Sequence, residues 1–358
     1  MFPISSNINL DSKRMVSLDA LRGIAILLMV TGHTFVFLAS NKDNTLNDYF
    51  IRWHMPLFAT ISGYVSLKAT ITSSQAILKV KKRILQQIFP TIILCVIWTS
   101  TLSPANWHDT LNGMYKGGYW YTFVALELYI IYTVILLCVR KSANSIVIQA
   151  SIYFLIIIGT PILEKILFLF NITPSPRWLI PNLLLLLPFF SLGCFLRVIS
   201  NYICRVLNRK KLSFIVLSSI ITVDILILYH GIYSHHSVYV RFLTSICPIL
   251  TFMLPFIAFA NRLEHVRIIQ KLSIYGKDSI EIYLLHFFIL ALLGMAFDLT
   301  FLSDYITDTF FYILLALIAL PVAALCLYLT RFFNKVGVYK YLFFTEKRAQ
   351  TSPKQTKN

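Results

Sequence analysis

An arginine and a histidine lie inside the first long apolar run of the chain, residues 20–39. Arg22 is near the start of the run, and His33 follows eleven residues later. Because successive helical residues are about 100° apart, this spacing brings both side chains to one face, about 16 Å apart along the axis. Ionisable side chains at membrane depth are costly and usually functional. We therefore predict a chemical role for this pair, with a structural interhelical hydrogen bond as the alternative for His33.

The composition identifies the kind of protein that holds this pair. Hydrophobic residues make up 57% of the 358 residues and charged residues only 13%, and the mean hydropathy is +0.72. These values exclude a soluble globule and predict an all-α, polytopic integral membrane protein. About ten transmembrane helices are predicted, over residues 20–39, 48–67, 84–103, 118–139, 146–164, 179–198, 212–230, 238–260, 279–298 and 309–331.

Lysine and arginine residues predict the orientation. With both termini in the cytoplasm, 25 of the 32 lie in cytoplasmic segments and six in outer segments, as expected of a membrane protein. Most of the net charge of +17 therefore belongs to the cytoplasmic segments and indicates how the chain is oriented in the membrane. Nucleic-acid binding is not expected, because the basic residues are divided among short loops. The predicted location is the cell membrane, specifically the bacterial inner membrane.

The chain is predicted to form one membrane domain. A short cytoplasmic segment, 1–15, precedes the domain at 16–344, and a polar, disordered tail follows at 345–358. The first span lacks a small-x-small cleavage site after it, so we expect it to remain as a helix. The six cysteines lie in or beside spans without metal-ligand spacing and are predicted to be packing residues.

The other histidines divide by their position. His54 and His286 lie in predicted spans, where functional and structural roles are equally compatible. The remaining five lie in predicted loops and are interpreted as solvated: His108, His230, His235, His236 and His265. No metal is expected, because the spacing of the clustered loop histidines matches no ligand set.

Several motifs together resemble the membrane-bound acyltransferase 3 family. They are Ser17 to His33, with its arginine, ten residues and histidine; His54 to Tyr64; Lys82 to Pro90; Gly118 to Tyr129, with Trp120 and Glu127; and Gly276-x-x-Ser279-x-x-x-Tyr283-x-x-His286. The resemblance extends over residues 17–286. Gln86 departs from the pattern, because members often carry a basic residue there.

The resemblance implies transfer of an acyl group, usually acetyl, from cytoplasmic acyl-CoA to a hydroxyl of a cell-surface or lipid-linked carbohydrate. Arg22, Lys82 and Arg83 are then candidates to bind the donor's phosphates, which match guanidinium geometry. His33 is a candidate general base or covalent acyl carrier. The expected partners of the protein are acetyl-CoA, the glycan acceptor and membrane lipids. The sequence does not predict an oligomeric state.

Other polar residues have supporting roles in this prediction. Asp19 is placed to orient the Arg22 guanidinium, and Glu127 either assists catalysis or forms a structural ion pair. Ser279, Tyr283 and His286 share one helix face, which we expect to meet the first helix. His286 and Glu127 complete the predicted catalytic set, and His54 and Trp120 the substrate-supporting set.

Two other functions are compatible with buried ionisable residues. A transporter or flippase for a polyol or lipid-linked sugar would also hold histidine, glutamate and arginine in its bundle. A sensor or scaffold without turnover would not need an aligned arginine and histidine. A phosphate-sized cluster of charge at one membrane face with a deep histidine favours the acyltransferase.

Overall fold

The protein is an all-α polytopic membrane protein. A computed structural model describes residues 14–40, 44–67, 72–102, 113, 115–139, 142, 145–172, 179–229 and 238–336, and every regular element within them is helical. The helices are α1 Val16–Leu38, α2 Thr45–Ser66, α3 Ser73–Arg83, α4 Phe89–Thr101, α5 Trp120–Val139, α6 Ser145–Leu169, α7 Ile180–Val198, α8 Ser200–Leu207, α9 Lys210–Tyr229, α10 Val238–Ala258, α11 Ala260–Leu263, α12 Arg267–Lys277, α13 Ser279–Ala296 and α14 Asp308–Lys335.

Each predicted span coincides with a helix. Within the described residues, eight helices are long and apolar enough to cross a membrane, and Phe242–Ala258 is a shorter apolar helix. The remaining predicted span, 48–67, corresponds to α2, which is more polar. The crossing of the membrane by all ten helices and the cytoplasmic location of both termini stay predictions. The predicted terminal segments lie almost wholly outside the described residues.

Two helix boundaries differ from the sequence prediction. The third helix begins at Ser73, eleven residues before the predicted start, and continues through a π-helical turn, Ile84–Ile88, into α4. Its first three turns contain serine, glutamine, lysine and arginine side chains, which concealed them from a search for apolar runs. Helix α6 ends at Leu169, five residues after the predicted end of its span. The six cysteines are free.

Helix α1 is at the centre of the bundle, packed on α2, α12, α13 and α14. Its closest crossing is with α12, where Gly23 and Gly276 face each other's backbones. A Cβ atom on Gly276 would lie 1.7 Å from the Asp19 carbonyl oxygen, and one on Gly23 would lie 2.1 Å from the Leu272 carbonyl oxygen. Small residues allow such close approach between membrane helices. The crossing holds Arg22 against α12.

Helices α2 and α7 cross equally closely. A Cβ atom on Gly63 would lie 1.9 Å from the Phe190 carbonyl oxygen, and one on Gly193 would lie 1.9 Å from the Thr60 carbonyl oxygen. The two glycines therefore permit the close packing of these helices. This crossing fixes the end of α2, including Tyr64, beside the end of α7.

Candidate active site

Two histidines from distant parts of the chain form a hydrogen-bonded pair. The Nδ1 atom of His33 on α1 lies 2.7 Å from the Nε2 atom of His286 on α13. The ring centroids are 4.9 Å apart and the ring planes differ by 10°. Because these nearly coplanar rings meet through their nitrogens, the contact is an edge-to-edge hydrogen bond rather than a face-to-face stack. The expectation that the α13 face meets the first helix is confirmed.

The hydrogen-bond network assigns the protons of the pair. The Nδ1 atom of His286 lies 3.0 Å from the Ile282 carbonyl oxygen. A carbonyl can only accept, so Nδ1 of His286 carries the proton and its Nε2 is an acceptor in the neutral ring. His33 must then donate from Nδ1. This leaves Nε2 of His33 with a free lone pair, the arrangement that a general base or a nucleophile requires.

Aromatic side chains enclose the pair. The Phe287 ring lies 4.7 Å from the His33 ring and 4.2 Å from the His286 ring, between centroids. Trp98 on α4 packs on Phe287 at 5.7 Å. His286 is fully buried, whereas His33 is partly exposed. His33 is therefore the accessible member of the pair, and His286 is the member that orients it.

A basic cavity opens near the other end of the same faces. It has a volume of about 220 Å³, and its charged lining residues are Arg22, Arg83 and Lys277. Its lining also includes Ile26 and Tyr283. Since Arg22, Ile26 and His33 share one face of α1, and Tyr283 precedes His286 by one turn of α13, the two faces lead from the cavity toward the histidine pair.

Arg83 is held in this cavity by aromatic stacking and by the π-helical turn. Its guanidinium carbon lies 4.0 Å from the centroid of the Tyr129 ring. The π-helical turn begins directly after Arg83, and such turns are frequent at functional sites. It contains Gln87, which lines the cavity and has a buried Oε1 atom without a hydrogen-bond partner. The cavity therefore offers both a fixed cation and a neutral polar group.

Asp19 binds two arginines at the cavity mouth. It is buried, with its Oδ2 atom 2.5 Å from the Nε atom of Arg14 and its Oδ1 atom 3.5 Å from an Nη atom of Arg22. The closer partner is thus Arg14. Asp19 nevertheless contacts Arg22 as predicted, and it leaves guanidinium donors of Arg22 available to an anion.

Tyr283 joins α13 to the start of α5. Its hydroxyl donates to the Gly118 carbonyl oxygen at 2.7 Å and accepts from the Tyr121 backbone amide at 3.2 Å. Ser279 and Tyr283 both line the basic cavity. The predicted face of α13 therefore forms part of the cavity wall as well as the histidine pair.

The remaining predicted site residues lie elsewhere. Lys82 is exposed and does not line the basic cavity. His54 is buried and bonds through Nδ1 to the Phe50 carbonyl oxygen of its own helix at 3.1 Å. Trp120 packs on Tyr121. Glu127 has a buried Oε2 atom without a hydrogen-bond partner, and the ion pairs within the described residues do not include it.

One of the five predicted loop histidines lies within the described residues. His265 is exposed, as expected, and the other four loop histidines lie outside the described residues. In the part of the chain that the structure covers, there is no cluster of three or more metal-ligating side chains.

Four residues at the site were missed by sequence reasoning. Gln87, Tyr121 and Lys277 line the cavity, and Phe287 packs on both histidines. Lys277 was interpreted only as one of the cytoplasmic basic residues. Gln87 had a usable signal, because it is a polar side chain close to an apolar run. Tyr121 and Phe287 had none, since aromatic residues are abundant in this chain.

Comparison with known proteins gives a family match. A family model described as an acyltransferase domain, that of acyltransferase 3, matches residues 15–328. Nodulation protein NolL of Mesorhizobium japonicum is 31% identical over 137 residues, which are 35% of this chain and 36% of that relative. Nodulation protein NolL of Sinorhizobium fredii is 28% identical over 133 residues, 34% of this chain and 36% of that relative. The chain thus aligns with only about a third of each relative's length. No solved structure matches the chain.

Proposed function

Since the chain belongs to the acyltransferase 3 family and is a membrane acyltransferase, we propose that it transfers an acetyl group from acyl-CoA to a carbohydrate hydroxyl. The observation that carries this proposal is the His33–His286 hydrogen bond, with Nε2 of His33 left free. A pair of this kind supplies a positioned base. The basic cavity on the same helix faces supplies a place for an anionic donor.

Charge and geometry support binding of the donor in the basic cavity. Arg22, Arg83 and Lys277 face one space, and guanidinium groups bind phosphate through several charge-assisted hydrogen bonds. We place the diphosphate of acyl-CoA between Arg22 and Arg83. The predicted orientation puts this opening in the cytoplasm. The pantetheine arm then runs past Tyr283 toward His33, and Lys82 raises the local concentration of the anion from outside.

The proposed reaction uses His33 as the base. Nε2 of His33 takes the proton of the acceptor hydroxyl as that oxygen attacks the thioester carbonyl carbon. The C–S bond breaks, and the protonated His33 returns the proton to the departing CoA sulfur. His286 accepts the His33 Nδ1 hydrogen bond throughout and stabilises the transient imidazolium, so it is a positioning residue.

A covalent variant of this reaction uses the same lone pair. Nε2 of His33 would attack the thioester, carry the acetyl group and pass it to the hydroxyl. Incubation with radiolabelled acetyl-CoA without acceptor separates the two. Label retained on the protein and lost in His33→Ala indicates the covalent route, and no retained label indicates general-base catalysis.

The proposed acceptor is a cell-surface or lipid-linked carbohydrate at the bacterial inner membrane. Trp120 at the start of α5 is available to contact a sugar ring. His54 and Glu127 are proposed to support the site from α2 and α5. The transporter alternative is less favoured because the chain belongs to an acyltransferase family.

The experiment is release of free CoA from acetyl-CoA by the purified protein in lipid nanodiscs, with and without candidate glycans. His33→Ala should abolish glycan-dependent release, whereas Arg22→Ala should mainly weaken donor binding. His265→Ala changes an exposed histidine and serves as the matched control. If none of these proteins binds acyl-CoA, and labelled sugar instead crosses proteoliposomes, the transporter replaces the acyltransferase.

A further inference from the structure

A second cavity adjoins the basic cavity at the ends of α1, α2 and α7. It has a volume of about 230 Å³, and its charged lining residues are Arg14, Asp19, Arg22 and Arg197. Arg22 and Val65 line both this second cavity and the basic cavity. A ligand held at Arg22 can therefore extend into both spaces. With three arginines and one carboxylate, the second cavity selects for an anion.

Arg197 is the arginine of this cavity that forms no ion pair with a carboxylate among the described residues. The ion pairs in the described part of the chain join Asp19 to Arg14 and to Arg22. Arg197 instead bonds to the Tyr64 hydroxyl at 3.4 Å, and its guanidinium carbon lies 5.2 Å from the centroid of the Tyr64 ring. Tyr64 is only 2% exposed and is held by the α2–α7 crossing. The Arg197 guanidinium is thus partly fixed and retains free donors.

A third cavity continues from Arg197. Arg197 is the charged residue of its described lining, and several other lining residues are polar and neutral. It has a volume of about 320 Å³, and it shares Met15, Tyr64 and Arg197 with the second cavity. Three asparagines and a serine add hydrogen-bonding groups to it: Asn201, Asn208, Asn261 and Ser200. Amide side chains pair with the edges of a purine base. The basic cavity thus presents two arginines and a lysine, the second cavity adds two further arginines beside Asp19, and the third presents amides.

We propose that Arg197, with Arg14, binds the 3′-phosphate of the CoA nucleotide, and that the amide-lined third cavity receives its adenine. This inference rests on the proposed function. CoA carries a diphosphate, a separate phosphomonoester on its ribose and an adenine, which is the order of groups that the three cavities match. A phosphomonoester is close to doubly charged at neutral pH, and a fixed guanidinium suits it. Arg197 is therefore assigned as the residue that distinguishes CoA from 3′-dephospho-CoA.

The test compares the affinities of CoA and 3′-dephospho-CoA for the full-length protein in nanodiscs of phosphatidylcholine. The parent should bind CoA at least about 10-fold more tightly, because a charge-assisted hydrogen bond is lost without the phosphate. Arg197→Gln should weaken the binding of CoA and leave that of 3′-dephospho-CoA unchanged, so the ratio of the two affinities should fall several-fold toward one. Tyr64→Phe, which removes the hydroxyl that positions Arg197, should reduce the ratio by a smaller factor. Arg331→Gln removes an exposed arginine outside the three cavities and should leave the ratio unchanged.

The outcomes separate this inference from the proposed function. If Arg197→Gln weakens both ligands equally, or leaves the ratio as in the parent, the 3′-phosphate assignment is wrong while the acyltransferase proposal stands. If the parent binds neither ligand, both fail. If the parent binds both ligands in phosphatidylcholine without a preference for CoA, the assignment is wrong as well.

Discussion

Substitution of Gly276 by alanine tests the helix crossing that places Arg22. The new Cβ atom would lie 1.7 Å from the Asp19 carbonyl oxygen and 2.9 Å from the Gly23 amide nitrogen, whereas ordinary contact begins at 3.4 Å. The obstructing atoms are all backbone, so no side chain can rotate away. Helices α1 and α12 must therefore separate or slide.

The size of the effect follows from two opposing contributions. Overpacking of a close contact costs about 3 kcal/mol at the upper end of its usual range, which applies because both sides are backbone. Gly276 is the second-last residue of α12, so alanine recovers there at most the roughly 1 kcal/mol that it gains over glycine in a helix interior. The expected net loss for Gly276→Ala is therefore about 2–3 kcal/mol of unfolding free energy. Because Asp19 moves with α1, the affinity for acetyl-CoA should fall as well.

The matched control is Gly159→Ala. Gly159 is an exposed residue of α6, and a Cβ atom there would meet nothing within 4 Å. It should gain about 1 kcal/mol from helix propensity. Thermal unfolding of parent and both variants in one detergent compares them. If Gly276→Ala unfolds at the same temperature as Gly159→Ala, the close α1–α12 crossing is wrong.

Three further substitutions test individual contacts of the site. His286→Phe retains the bulk of the side chain but removes the hydrogen-bond acceptor for His33. The kcat should fall about 10- to 100-fold, with little change in the affinity for acetyl-CoA. An unchanged kcat would exclude the positioning role. Tyr283→Phe loses two hydrogen bonds and should lower the unfolding free energy by about 1–2 kcal/mol; thermal unfolding measures this, and an equal stability would argue against the bridge. Tyr129→Leu removes the ring beneath Arg83 and should weaken acetyl-CoA binding about 3- to 10-fold. Calorimetric titration measures the affinity, and unchanged or tighter binding would contradict the stacking role.

The membrane helices were predictable because each requires a long apolar run. The sequence therefore located all the long helices to within a few residues, except where charge interrupts the run. The basic turns at 79–83 hid the first part of the helix that begins at Ser73. The short helices α8 and α12 were missed for a related reason, because half of each is polar. A period of 3.6 residues in their apolar positions was the available signal.

The sequence predicted those features of the candidate site that depend on the geometry of one helix alone. Arg22 and His33 were found from their spacing, and the shared face of Ser279, Tyr283 and His286 from helical periodicity. That this face would provide the hydrogen-bond acceptor for His33 depends on packing between helices about 250 residues apart in sequence. Arg197 was interpreted only as part of the topology signal, because its position beside Arg22 arises from the crossing of α2 with α7.

The proposed mechanism requires that His286 fix His33 as the Nδ1-protonated tautomer, which leaves Nε2 free to react. Nitrogen-15 NMR of histidine-labelled protein in lipid at neutral pH reports the tautomer, with the His33 signals assigned by their loss in His33→Ala. We expect a protonated Nδ1 and an unprotonated Nε2 for His33, and the opposite tautomer when His286→Phe removes the acceptor. A proton on Nε2 of His33 in the parent protein would exclude His33 as the base.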